Sequence, residues 1–239
     1  MATRKLPRSV NDYSDACRNA KRKSDSIGDI ALLAFSASTL ERLDAFLPVF
    51  GTEVNERKVA LVNQTNATAE KNLAFDKAAM YASQFFQVFN FGVFRGVFQE
   101  TDRAYYGIDV NDGNTPLINS DSDLLLWGQN LIDGEAARIA AEGVAMSMPS
   151  AAEFETEFNK FKTLQSAQSE LKDQYDKEQE DVAALLDDAN LLVRDIWDEV
   201  EFHFRHDDAA SKRRKCREYG VVYVNDKNEV ILDPIEPVE

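Results

Sequence analysis

Residues from about Ser9 to Ile118 of this 239-residue chain return, in order and with little drift, between about Ser120 and Leu232. Four kinds of signal keep register. Ser38-x-x-Glu41 returns as Ser150-x-x-Glu153, and a long apolar-patterned segment returns 111 residues later. Tyr106-Gly107 returns as Tyr219-Gly220, and Val110-Asn111-Asp112-x-Asn114 as Val224-Asn225-Asp226-x-Asn228. A chain written twice predicts two similar halves that share a core, and at this length it can bury one without covalent staples.

Each copy opens on a short helix. Ser9-x-x-Asp12 leads into Tyr13, Ala16, Cys17 and Ala20, and Ser120-x-x-Asp123 into Leu124, Trp127, Gly128 and Leu131, which are the steps of one helical face. Ser38 and Ser150 then read as starts of longer helices, because a serine hydroxyl can accept from a free amide while the glutamate three residues on reaches back. The long segments run Leu43, Leu47, Phe50, Val54 and onward to Phe85 and Phe89, and Phe154, Phe158, Phe161, Gln165 and onward to Ile196 and Val200, in steps of four and three. That is a coiled-coil seam. No Gly or Pro lies between Ala151 and Ala210, so a continuous helix of roughly 55 residues is favoured over a helical hairpin, which stays open as the alternative. Pro48 predicts a kink near the first turns of the first copy.

After the helix, β-formers precede Asn/Asp/Gly turn chemistry in both copies, so a small β-hairpin is expected at 107–118 and at 221–232. The predicted fold is therefore mainly α: an elongated helical bundle or coiled coil of two tandem repeats, each a short helix, a long helix or helical hairpin, and a small β-hairpin, related by a pseudo-twofold axis. The predicted divisions are an N-terminal arm at 1–8, repeat 1 at 9–118, repeat 2 at 119–233 and a tail at 234–239.

The net charge of −15 opposes general affinity for nucleic acid or anionic membrane. No segment approaches membrane-spanning length. The basic start lacks a following apolar run and does not read as a secretory signal, and Cys17 and Cys216 make no framework, so a reducing cytoplasm is expected. Charge is uneven. Basic residues gather near the N-terminus and in Lys212, Arg213, Arg214, Lys215 and Arg217, opposite an acidic segment from Glu153 to Glu201.

Glu199, His203 and His206 fall at i, i+4 and i+7, a spacing that can converge on zinc or iron if the helix persists, yet a histidine near a helix end is also favoured by the dipole alone. Phe85, Phe86, Phe89, Phe91, Phe94 and Phe98 are too many for one stripe. Most are expected in the core, with Phe86, Phe91, Phe94 and Phe98 as candidates for an interface. There is no phosphate loop, nucleophile elbow or di-iron motif, and no catalytic residue, resident cofactor or metal is assigned. The expected function is a non-enzymatic structural or assembly protein acting by self-association or scaffolding. Its rivals are a monomeric adaptor that binds a partner helix or peptide, and a metal- or ligand-binding helical protein centred on His203 and His206. The expected partner is the protein itself or another protein.

Overall fold

The computed structural model describes residues 2–224 of the chain. They are mainly helical. In order they form β1 (Thr3–Arg4), α1 (Val10–Ile27), a 3-10 turn (Ile30–Leu32), α2 (Ala37–Phe94), a second 3-10 segment (Glu100–Tyr106), α3 (Asp121–Ala140), α4 (Ala151–Ala184), α5 (Leu186–His203), α6 (Ala209–Glu218) and β2 (Tyr223–Val224).

The short helices start where the serines place them. Ser9 accepts from the Asp12 amide while the Asp12 carboxylate accepts from the Ser9 amide, and Ser120 accepts from the Asp123 amide. Ser150 caps α4 in the same reciprocal way, with Glu153 N to Ser150 Oγ at 3.2 Å and Ser150 N to Glu153 Oε2 at 2.8 Å. These bonds hold the carboxyls of Asp12, Asp123 and Glu153 below their ordinary values, because the charged form is the acceptor. A carboxyl lowered in the folded state adds stability that is present at neutral pH and is lost as pH falls from about 4 through the folded value. Ser150→Ala is expected to cost about 1 kcal/mol in a denaturant melt at neutral pH, and less as pH falls through the lowered value of Glu153.

The start of α2 differs from the expected box. The cap is Ser36, whose Oγ accepts from the Thr39 amide, and Ser38 lies inside the helix. The acid is not Glu41. Glu199 of α5 accepts from the Ser36 amide and from Thr39 Oγ1, the latter at 2.6 Å, so a residue 160 positions away completes the cap.

α2 runs unbroken for 58 residues through Pro48. The second copy does not match it. Its long helix divides at Leu185, whose amide reaches Val182 O at 3.2 Å and whose backbone stays near helical angles (φ −90°, ψ −7°). Residues 174–181 are helical, so the hairpin alternative is also excluded. The division has a packing reason. Leu185 and Leu186 are sequence neighbours and both pack on Phe50, Val54, Val182 and Ala189, whereas a regular helix sets neighbours about 100° apart.

Two compact units result: one holds the described residues up to Val59 and from Asp176 on, the other Ala60–Tyr175. In the first, Ala16, Cys17 and Ala20 of α1 pack with Leu43 of α2, with Leu192, Val193, Ile196, Trp197 and Val200 of α5, and with Cys216 and Tyr219. In the second, Leu124 and Leu131 of α3 pack with Ala78, Ala82, Phe85, Phe86 and Phe89 of α2, with Phe154, Phe158 and Phe161 of α4, and with Tyr106. Each unit therefore takes one of the two repeated short helices, α1 or α3, and part of both long segments. Burial pushes the Cys17 thiol up to about 12, which leaves it protonated and unreactive at neutral pH.

The hairpin expected at 107–118 is absent, and most of the one expected at 221–232 lies outside the described residues. Residues 107–118 form no strand, because the carbonyls a partner strand would need are taken by side chains: Arg103 donates to Val110 O at 2.7 Å and Asn90 to Gly113 O at 3.1 Å. β2 pairs antiparallel with β1, Thr3 opposite Val224 and Arg4 opposite Tyr223, a pairing the sequence reading did not expect. Residues 225–232 and the tail at 234–239 lie outside the described residues. The two repeated glycines do have a backbone role. Gly107 (φ +72°) and Gly220 (φ +87°) are left-handed, and a Cβ on them would meet Asn130 Nδ2 at 3.2 Å and Asn19 Cβ at 3.0 Å respectively.

Candidate functional site

The phenylalanine-rich end of α2 divides sharply between core and surface. Phe85, Phe86 and Phe89 are fully buried, so Phe86 belongs to the core and not to an interface. It meets Tyr106 and Trp127 edge-on, at 5.9 and 6.2 Å between ring centroids. Beyond Phe94 the chain reverses through Gly96 (φ +71°), with Val97 N donating to Gly92 O at 2.8 Å. The reversal lays Phe98 over Gly92, where a Cβ would stand 2.4 Å from the ring, and stacks it on Phe89 at 5.2 Å. Phe98 is thus largely spent inside its own unit. Phe91 (62% exposed), Phe94 (90%) and Val97 (62%) are left outside. Three large apolar side chains within seven residues of one helix end are more than the scattered exposure an ordinary surface shows.

Phe202 of α5 is similarly exposed, but the Arg205 guanidinium lies 3.9 Å from its ring centroid and covers one face. His203 is the last residue of α5, its ring edge-on to Phe204 at 4.7 Å, and His206 follows in the connection to α6. The structure does not bring Glu199, His203 and His206 together as a ligand set. Among the described residues, the group of three or more His, Cys, Asp or Glu whose ligand atoms lie within 4.8 Å of one another is Glu53, Glu56 and Glu178. Glu199 is engaged in the α2 cap, as described above.

The basic run falls on α6, started by Asp208, which accepts from the Ala210 and Ser211 amides. Lys215 pairs with Asp207 at 2.8 Å and lies 5.2 Å over the Phe204 ring. Lys212 and Arg213 are half-buried, while Arg214 and Arg217 are exposed. The N-terminal basic residues meet acidic ones within the same unit: Arg4 with Asp198 and Glu201, Lys21 with Asp25 and Asp44, and Lys23 with Glu218. Much of the opposed charge is therefore matched inside the chain.

Sequence reasoning missed a buried polar centre. On α3, Glu135 and Arg138 are 2% and 1% exposed and form a two-pronged pair, with Arg138 Nη2 to Glu135 Oε1 and Arg138 Nε to Glu135 Oε2 both 3.0 Å. Tyr106 donates its hydroxyl to Glu135 and accepts from Arg138 Nε at 3.0 Å. Glu135 also accepts from the Met146 amide at 2.7 Å, and Arg138 donates to Val144 O at 2.6 Å, which ties down the α3–α4 connection. The guanidinium lies 4.8 Å over the Phe98 ring. Burial, followed by the bond to Glu135, pushes the Tyr106 hydroxyl far up and keeps it protonated. Burial opposes the charge of Arg138, but its bonds to Tyr106 and Glu135 outweigh that and hold the guanidinium charged. A closed set of mutually satisfied groups stabilises a connection and offers no free nucleophile or base. The one available signal was the i, i+3 pair of opposite charges, which on a helix ordinarily faces water.

No helix is long and apolar enough to cross a membrane among the described residues. No family model, curated protein or solved structure matches the chain.

Proposed function

We propose that the protein is a non-enzymatic structural or assembly protein that acts by self-association or scaffolding, with Phe91, Phe94 and Val97 at the end of α2 as its contact surface. The observation that carries this reading is the division of the phenylalanine run, in which Phe94 stays 90% exposed beside rings that are fully buried. A rigid helix end presents such rings at small entropic cost, and aromatic side chains supply most of the affinity where they are buried between chains. Two free, buried cysteines suit a reducing compartment such as the cytoplasm.

The chain is on this reading a tandem duplication with a pseudo-twofold relation between its copies. In support, the residues buried on α2 at 78, 82, 85, 86 and 89 and on α5 at 189, 193, 196, 197 and 200 share one spacing. Gly107 approaches Asn130 as Gly220 approaches Asn19, and Phe91 and Phe202 are exposed to 62% and 64% at matching positions. Duplicated surfaces let one chain engage two neighbours, which is what an assembly requires.

Sedimentation velocity across the micromolar range is expected to show association for the unaltered protein, weakened only moderately by high salt because the contact is mainly apolar. Phe91→Ser with Phe94→Ser is expected to leave monomer, with a melting change within about 0.5 kcal/mol, as for other exposed positions. A strict monomer over that range overturns the reading. Retrieval of one stoichiometric partner by such a monomer would support the adaptor alternative.

A further inference from the structure

The first unit contains a cavity of about 180 Å³ beneath the N-terminal arm, between α1 and α5. Its buried wall is formed by Pro7, Ala16 and Trp197, with Leu6 half-buried beside them. Trp197 is 1% exposed, and its Nε1–H has no hydrogen-bond acceptor. The rim carries both charges. Lys5 and Asp15 are exposed there without a salt bridge within 4.0 Å among the described residues, although the charge of Lys5 helps to lower the carboxyl of Asp12. Asn19 adds a free amide donor, its Oδ1 being taken by Arg22 at 2.7 Å. Asp12, also at the rim, is occupied by the α1 cap.

The arm that closes the cavity is held firmly. β1 pairs with β2, the Lys5 amide donates to Val222 O at 2.9 Å, and Arg4 bonds to Asp198 and Glu201. The void follows from a small residue. Ala16 faces Trp197 here, whereas 111 residues further along, Trp127 of α3 packs its ring against Phe86.

We propose that this cavity is a binding site for a small zwitterion with an apolar side chain, a free amino acid of about leucine's size. A void of roughly 150 Å³ admits a six-carbon ring, so 180 Å³ takes a branched aliphatic group and leaves its charged end at the rim. The ammonium of Lys5 and the amide of Asn19 receive the carboxylate, and Asp15 receives the α-ammonium. An apolar wall with groups of both charges at its rim matches this ligand class.

Titration calorimetry and Trp197 fluorescence in a Trp127→Phe background test the proposal, with L-leucine, isoamylamine, 4-methylpentanoate and N-acetyl-L-leucine as probes. Leucine is expected to bind saturably. The amine and the acid, each lacking one charge, and the acetylated compound, which lacks the ammonium as a peptide-borne residue would, are expected to bind at least about tenfold more weakly. Lys5→Ala and Asp15→Asn are expected to weaken leucine at least about tenfold with an unchanged melt, since both residues are exposed, and Ala16→Phe to abolish binding by filling the void. Absence of saturable leucine binding means that the cavity holds water only and overturns the proposal. Equal affinity in Lys5→Ala and Asp15→Asn overturns it as well.

Discussion

Replacing Arg138 by Ala should destabilise the 60–175 unit by about 3 to 5 kcal/mol, because Glu135 would be left buried with its main partner gone. The loss spreads beyond the pair. Arg138 also anchors Val144 O and covers Phe98, so the α3–α4 connection and the chain reversal after α2 should both loosen. Denaturant unfolding followed by Trp127 fluorescence measures this. The paired change Glu135→Leu with Arg138→Met is the informative companion, since removal of both charges leaves no unpaired ion and should recover a large part of the stability. A loss below about 1 kcal/mol in Arg138→Ala would mean that water reaches Glu135 and that the centre is not closed.

Phe89→Ala should cost about 3 to 5 kcal/mol, toward the upper end for a ring with this many neighbours. Phe89 is fully buried, stacks on Phe98 at 5.2 Å, meets Tyr106 edge-on at 4.9 Å and lies 5.9 Å from the Arg138 guanidinium. Its removal opens a cavity beside the buried pair, so its effect and that of Arg138→Ala should not add. Comparison with Phe94→Ala on the same helix isolates core from surface. The first should lower the melt and the second should lower association alone. An unchanged melt for Phe89→Ala with lost association would move that ring from core to interface.

Helix positions and caps were readable because they depend on residues a few places apart. Ser9, Ser120 and Ser150 act through amides three residues on, and their short-range chemistry survives any arrangement of the rest. The glycine pair at 107 and 220 was readable for the same reason, since a left-handed angle is a demand of the local backbone. The α2 cap was misplaced by two residues because Ser38, with Glu41 three residues on, is the better local box, while Ser36 has only Thr39 at that spacing. Glu199, distant in sequence, decides between them, and only packing of α5 on the start of α2 brings it there.

Three further features rest on long-range placement. The division at Leu185 contains no Gly or Pro and arises where two neighbouring leucines both seek the Phe50 cluster. The loop at 107–118 holds every turn signal of a hairpin, yet Arg103 and Asn90 supply its carbonyls with donors first, which leaves a strand no partner to pair with. The N-terminal arm, with little apolar pattern of its own, becomes a strand by pairing with β2, more than 200 residues away in sequence. The same division holds for the sites. The sequence alone marked the phenylalanine run as too wide for one stripe, while tertiary structure decided which rings remain outside, through a reversal at Gly96 that draws Phe98 inward. Burial likewise turned Glu135 and Arg138 from an ordinary helical pair into a closed centre, because the loss of water around opposite charges leaves each the other's principal partner.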